Sequence, residues 1–261
     1  MIGSAIFPRC NYAVFSVFLS SFFLFLEGGT CFSQQVDALI DQYIGKSGRE
    51  NLQSIHCIRY QGRVFTQGMM IPMEMVYDES GKMYQKLFIN GQELVQQAFD
   101  GEVVWGLNFM NMKPEIKEAE IAENLKREAI DFPDPFLDYK KKGYTAELLG
   151  KEKIGERVCY KVKLIKKPLK ASGKEVDNTS LYYFDEVEML PVLKEKEEKY
   201  GPAKGMFTHT FFENYENIEN VYFPFTLHEK IKGTKHQQTI FIDKIEINPT
   251  IKSEDFSFRQ P

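Results

Sequence analysis

Short runs of alternating apolar and polar residues, cut by turn-forming pairs, dominate this chain and confine most of it to antiparallel sheet. Asn90-Gly91 is the sharpest cut, because both residues accept the positive φ that a two-residue type I′ hairpin requires. Asp100-Gly101 repeats the device, Gln67-Gly68 separates two further runs, and Glu79-Ser80-Gly81 marks another turn. The runs between them, residues 55–65, 69–77, 82–89, 93–99 and 103–105, read as strands of a meander. The clearest alternation comes later. Val158, Tyr160, Val162 and Leu164 share one face, with Cys159, Lys161 and Lys163 opposite, the pattern of a strand with one buried side. Strands are expected again over residues 179–185, 190–200, 206–213, 221–231 and 236–247. Pro224 points to an edge or bulge. The charged run Leu193 to Lys199 reads as a solvated, edge-like strand. Asn178-Thr179-Ser180 fits a glycosylation sequon and reads as a polar turn.

Two stretches follow a helical period instead. Val36, Leu39, Ile40, Tyr43 and Ile44 form one apolar stripe, which Gly45 ends. In the middle of the chain Pro114 suits a helix first turn. Between Glu115 and Ile130 the apolar Ile121, Ala122, Leu125 and Ala129 share a face. Pro133 and Pro135 break that helix, and Phe136-Leu137-Asp138-Tyr139 is expected to begin a short second one. The fold class expected is mainly β (α+β), a large curved antiparallel sheet of about 10–11 strands with an N-terminal helix and a mid-chain helical insertion.

The N-terminus reads as an export signal. Arg9 is followed by the apolar stretch Ala13 to Leu26, which is short for a membrane span of roughly 20 residues. Cleavage after Ser33 leaves residues 34–261 as one domain. Lipidation at Cys31 and an uncleaved anchor are the alternatives. The net charge of −4 gives no reason to expect nucleic acid. Cys57 and Cys159 remain in the mature chain, where one disulfide or two separate buried thiols are both open.

No reactive constellation has diagnostic spacing. His56, His209, His228 and His236 are scattered, with no helical metal pair among them. Gly45-Lys46-Ser47 matches the end of a phosphate loop, but the Gly that loop requires is Ile40 here. No Gly-x-Ser-x-Gly elbow occurs. Asp134 and Asp138 suit helix starts better than acid–base work. Apolar side chains are plentiful instead. Phe207 and Phe211 fall on one side of their strand and Met206 and Phe212 on the other, while Met69, Met70, Met73 and Met75 cluster. Such residues usually build core, but methionine also suits adaptable binding surfaces.

Several segments, taken in order, carry a family resemblance. They are Tyr43-Ile44-Gly45-Lys46-Ser47-Gly48 followed by Leu52 and Ile55; Asp100-Gly101 before Trp105; and Leu149, Gly150, Glu152, Gly155, Val158, Tyr160 and Val162. Tyr182, Tyr183 and Asp185 follow, then Asn214, Tyr215 and Pro224, and finally Ile245, Ile247, Asn248 and Phe256. In this order the chain resembles the outer membrane lipoprotein-sorting proteins of the lipoprotein carrier superfamily. The resemblance implies a half-open β-barrel with the helices as a lid over a hydrophobic cavity. The implied partners are acyl chains of lipoproteins or other lipids, handed between membrane-bound donor and acceptor proteins in the periplasm. A monomer without cofactor, metal or catalytic residue is expected. Family-like segments and buried-face parity together nominate Phe88, Phe99, Trp105, Leu137, Val158, Tyr160 and Leu164 as cavity residues. The chain departs from the family where carriers place an Arg-Pro that helps hold the lid. Here the stretch reads Asp78-Glu79-Ser80-Gly81-Lys82, so that lid mechanism is not carried over. Two alternatives stay open: an envelope regulatory or stress-sensing module that binds a protein or lipid signal on the same fold, and a structural envelope protein or an enzyme.

Overall fold

The first and last strands of the chain pair with each other, and this contact organises the molecule. β1 (Cys57–Thr66) lies antiparallel to β13 (Gln237–Ile247). On the outward side of that seam Arg63 makes a two-pronged pair with Asp243 (3.0 and 2.7 Å), and Arg59 reaches Glu246 at 2.7 Å. The computed structural model describes residues 28–108, 110–201 and 203–258, with side chains from residue 34 onward. Most of the expected export signal, Arg9 and Cys10 included, lies outside the described residues.

From the seam two meanders run outward. One consists of β2 (Met69–Asp78), β3 (Met83–Ile89), β4 (Gln92–Phe99), β5 (Val104–Asn108) and β6 (Lys113–Ile116). The other runs back from β13 through β12 (Val221–Ile231), β11 (Phe207–Ile218), β10 (Pro191–Glu197), β9 (Lys174–Asp185) and β8 (Arg157–Ala171) to β7 (Thr145–Ile154). Among the described residues the result is one antiparallel, curved sheet of 13 strands, left open between β6 and β7. The expected architecture is borne out. The additional strands are β6 and β7, which alternation alone did not mark.

Among the described residues three α-helices accompany the sheet: α1 (Gly28–Lys46), α2 (Arg49–Gln53) and α3 (Ala119–Glu128). The stripe Val36, Leu39, Ile40, Tyr43 and Ile44 of α1 is buried against the concave face, among Phe136, Tyr182, Phe184, Val221 and Phe223. At the turn after α1, Gly48 has φ +87°, and a Cβ there would meet the carbonyl oxygen of Asn220 at 2.0 Å. Only glycine allows this approach to the β11–β12 turn. At the other end of the chain Asn248 clamps the seam. Its Oδ1 accepts the amides of His56 (2.7 Å) and Cys57 (3.1 Å), and its Nδ2 donates to the Ser54 carbonyl (3.0 Å). The C-terminal tail then crosses the convex face, where Phe256 packs with Val76, Tyr84, Ala98 and Trp105.

Several local expectations are corrected. Pro114 lies in the edge strand β6, not in a helix turn; its missing N–H costs nothing on an edge, and α3 begins only at Ala119. Pro224 sits inside the sheet in β12. It pairs with Tyr215 of β11, while the ladder to β13 starts only at Thr226, so the proline is unpaired on that side. Residues 136–139 form turns, with Asp138 at φ +52°, and no helix. Asn178 is buried in the interior of β9 rather than in a turn. β10 is an internal strand between β9 and β11, so the run Leu193 to Lys199 is no edge. Cys57 and Cys159 are both free and lie on strands far apart in the sheet order.

Candidate functional site

The chain between β6 and β7 must travel from one sheet edge to the other, and residues 117–144 do so across the open side. Helix α3 is amphipathic and uses both faces. Ile121, Ala122 and Leu125 pack on Met83, Phe99 and Val104 of the first meander. The polar face is tied to the second meander. Asn124 Nδ2 donates to the Lys170 carbonyl at 2.8 Å, and its Oδ1 accepts the Lys170 amide at 2.7 Å. Glu120 accepts the amides of Ser172 (2.9 Å) and Gly173 (2.7 Å), and Arg127 donates to the Pro168 carbonyl (2.5 Å). The segment is therefore a strap whose helix is tied to both meanders.

Beneath the C-terminal end of α3 and the residues that follow it lies an apolar cleft of about 510 Å³. Its roof is the short 3-10 turn Ala129–Asp131 followed by Phe132, Pro133 and Pro135. Its floor is the concave sheet. Tyr60 of β1 and Met75 of β2 stand opposite each other in one ladder, and Phe212 of β11 and Leu227 of β12 do so in another. Ile58, Tyr77, Tyr182, Pro224 and Ile242 add to the apolar lining. The volume falls within the roughly 300–1,000 Å³ of small-ligand sites. The turn Asp78 to Lys82 borders the cleft. Gly81 there, at φ +88°, lies so near Ala129 that a Cβ would come within 2.7 Å of the Ala129 Cβ.

The two acids of the roof, Glu128 and Asp131, are each held in an ion pair. Lys166, whose side chain is 3% exposed, donates to Asp131 at 2.5 Å, and Tyr144 donates to the other oxygen of Asp131 at 2.9 Å. Lys196 donates to Glu128 at 2.8 Å, and Tyr200 does so at 2.9 Å. Burial pushes the Glu128 carboxyl up, but Lys196, Lys166 and Tyr200 outweigh it and hold the group below its ordinary range. These contacts lock the roof to β8 and β10. Lys82 at the border has no ion pair among the described residues, and neither does Lys194. Lys194 stands opposite Tyr182 in the β9–β10 ladder, with its ammonium 5.7 Å from the ring centroid. Burial, then the neighbouring Lys196, pushes its pKa down.

None of the residues nominated from sequence lines this cleft. Leu137 and Leu164 are buried in the core beneath α1, where Tyr160 packs half-buried. Phe99 is fully buried under α3. Trp105 faces the convex side and donates from Nε1 to the Phe256 carbonyl at 2.8 Å. Phe88 and Val158 are exposed. Strand parity tells which face a residue is on, but not whether that part of the face is covered by a helix or left open. Phe212 and Met75, singled out only as apolar surplus, do line the cleft. Lys194 and Lys196 carried a readable signal in their i, i+2 spacing, which puts both on one face, with Glu195 and Glu197 on the other.

A second hollow, of about 800 Å³, lies at the opposite end of the sheet between hairpins. Gln67, His228, Lys230, Lys235 and Gln238 line it beside Phe65 and Phe211, so its wall is far more polar than that of the cleft. Among the described residues no group of three or more His, Cys, Asp or Glu side chains is placed to hold a metal ion. No described helix is long and apolar enough to cross a membrane.

No protein-family model and no curated protein matches the sequence. The fold does match solved structures. A DUF1329 family protein from Desulfovibrio piger superposes with a TM-score of 0.53 at 12% identity, covering 85% of this chain and 97% of that one. An outer membrane lipoprotein-sorting protein domain from Vibrio parahaemolyticus gives 0.50 at 9% identity, over 84% and 94% of the two chains. A LolA superfamily protein from Nitrosomonas europaea gives 0.51 at 10% identity, over 84% and 97%.

Proposed function

We propose that this chain, which shares the fold of outer membrane lipoprotein-sorting proteins, is a periplasmic carrier or binding protein for lipidated or hydrophobic cargo. In this reading residues 1–33 direct export, and residues 34–261 act as one carrier domain. The observation that supports it is the apolar cleft between strap and sheet. Sheltering an acyl chain from water is worth roughly 0.8 kcal/mol per CH₂, so a lipid anchor leaves its membrane only for an apolar enclosure. The cleft supplies apolar walls, and the roof over it is fixed by a few ion pairs rather than by continuous sheet. A carrier needs both features, because cargo must enter and leave. Binding and release need no bond-breaking group.

The deciding experiment is native mass spectrometry of residues 34–261 purified from the periplasm without detergent. Bound mass that extracts as lipid or acylated peptide supports the carrier reading. Clean apoprotein that also ignores an added fluorescent fatty acid overturns it.

A second reading, a regulatory envelope module that binds a protein signal, is favoured by a different surface. Phe65, Met69 and Met70 are exposed around the β1–β2 hairpin, at the same end of the sheet as exposed Met206 and Phe207. Apolar side chains displayed at one end suit contact with a second protein. A stable complex with a protein partner in the absence of lipid favours this reading.

A further inference from the structure

We propose that Lys194 anchors an acidic head group, so that the cleft selects anionic amphiphiles over neutral ones of equal chain length. The inference rests on the cleft being a cargo site and names the class of cargo. It starts from the register of β10. Lys194 and Lys196 point to the concave face, while Glu195 on the other face accepts from Tyr183 at 2.7 Å. Inside, Lys196 is satisfied by Glu128 and the nearby Lys166 by Asp131. The acids near Lys194 are thereby committed, since Glu128 also serves Tyr200, Asp131 also serves Tyr144 and Glu198 lies 3.9 Å from Lys196. Lys194 is left in the lining without an ion pair, its ammonium over the Tyr182 ring and feeling Asp131, Glu128 and Glu198 only at longer range.

An ammonium carries three donors and is unfavourable in an apolar enclosure without an acceptor. Burial has already lowered its pKa, and an anion alongside would reverse that shift. The complement to an unpaired cation among Phe212, Leu227 and Met75 is a molecule with an acid at one end and a hydrocarbon at the other. The cleft also holds Lys82, in the β2–β3 turn, at a different place on its border.

The test measures binding of dodecanoate and of 1-dodecanol, below their aggregation limits, to residues 34–261 and to the variants Lys194→Met, Lys194→Arg and Lys82→Met. The unmodified chain is expected to bind dodecanoate about tenfold more tightly than the alcohol. Lys194→Met should erase that preference while retaining the alcohol, which also reports an intact cleft. Lys194→Arg and Lys82→Met should keep it. Equal affinities in the unmodified chain overturn the anchor and leave the carrier reading standing. A preference that survives Lys194→Met, or disappears in Lys82→Met, also overturns it. Binding of neither probe overturns the carrier reading and the anchor with it. If Lys194→Met does not fold, the two-probe comparison on the unmodified chain and Lys194→Gln decides.

Discussion

Ala129, at the end of the strap helix, stands directly over Gly81 in the β2–β3 turn, with room for a hydrogen but not for a methyl group. The turn itself, Asp78-Glu79-Ser80-Gly81-Lys82, holds no arginine. This chain instead brings two small residues into contact and places its ion pairs on the far side, at β8 and β10. Gly81→Ala should therefore both strain the backbone, at φ +88°, and push the roof outward. A left-handed residue with a Cβ costs about 1–2 kcal/mol. Denaturant unfolding should show a loss of at least that size, and hydrogen exchange over residues 119–131 should quicken. Unchanged exchange there would mean that the turn does not support the roof.

The Lys166–Asp131 pair is the most buried tie between roof and sheet. Asp131→Ala leaves an ammonium buried without its counter-ion, and breaking such pairs costs about 3–5 kcal/mol. The double variant Lys166→Met/Asp131→Leu should recover most of that loss, because two apolar groups need no compensation. A double-mutant cycle on unfolding free energies checks both statements.

Acid should release the roof through Glu128. Its folded pKa lies below the ordinary 4.5, so its stabilising contribution is complete above pH 4.5 and is lost as pH falls through the lower folded value. Asp134 has the opposite sign. Burial outweighs its hydrogen bonds from Tyr43 and Phe136 and raises its pKa, so its contribution is present below the ordinary 3.8 and is lost as pH rises through the raised value. Glu128→Gln should flatten the acid limb of a stability-versus-pH curve, and Asp134→Asn should not.

Leu227 is half-buried and faces the cleft across from Phe212. Leu227→Trp adds bulk where the enclosure is empty of protein atoms. Fatty-acid affinity should fall at least about tenfold, or 1.4 kcal/mol, while the melting temperature stays close to that of the unmodified chain. Full affinity in this variant would place the cargo elsewhere.

Trp105 is the chain's one tryptophan, and its indole N–H is held by the Phe256 carbonyl. Ending the chain at residue 250 removes Phe256 and uncovers Val76, Tyr84 and Trp105 on the convex face. The emission of Trp105 should shift to the red and stability should drop. An unshifted spectrum would show that the tail does not shield it.

The sequence by itself determined the local periods. The stripe of α1, the alternation in β8 and the Asn90-Gly91 and Asp100-Gly101 turns follow from residue order within a few positions, because helix and strand geometry repeat on that scale. The family-like segments Gly48, Asn248 and Trp105 likewise mark real joints, where close approach or a specific hydrogen bond demands the residue found. Tertiary structure alone decided where the concave face is covered and where it is open. The β1–β13 seam joins the two ends of the sheet-forming chain, and the strap crosses from β6 to β7, so no short window of sequence contains either contact. That is why Leu164 and Leu137 became core under α1, while Met75, Phe212 and Leu227 line an open cleft. It is also why lysines in an ordinary-looking charged run became interior groups. Whether a charge is solvated depends on which strands flank it and what lies above it, and β10 is flanked on both sides, with the roof facing Lys194 and Lys196.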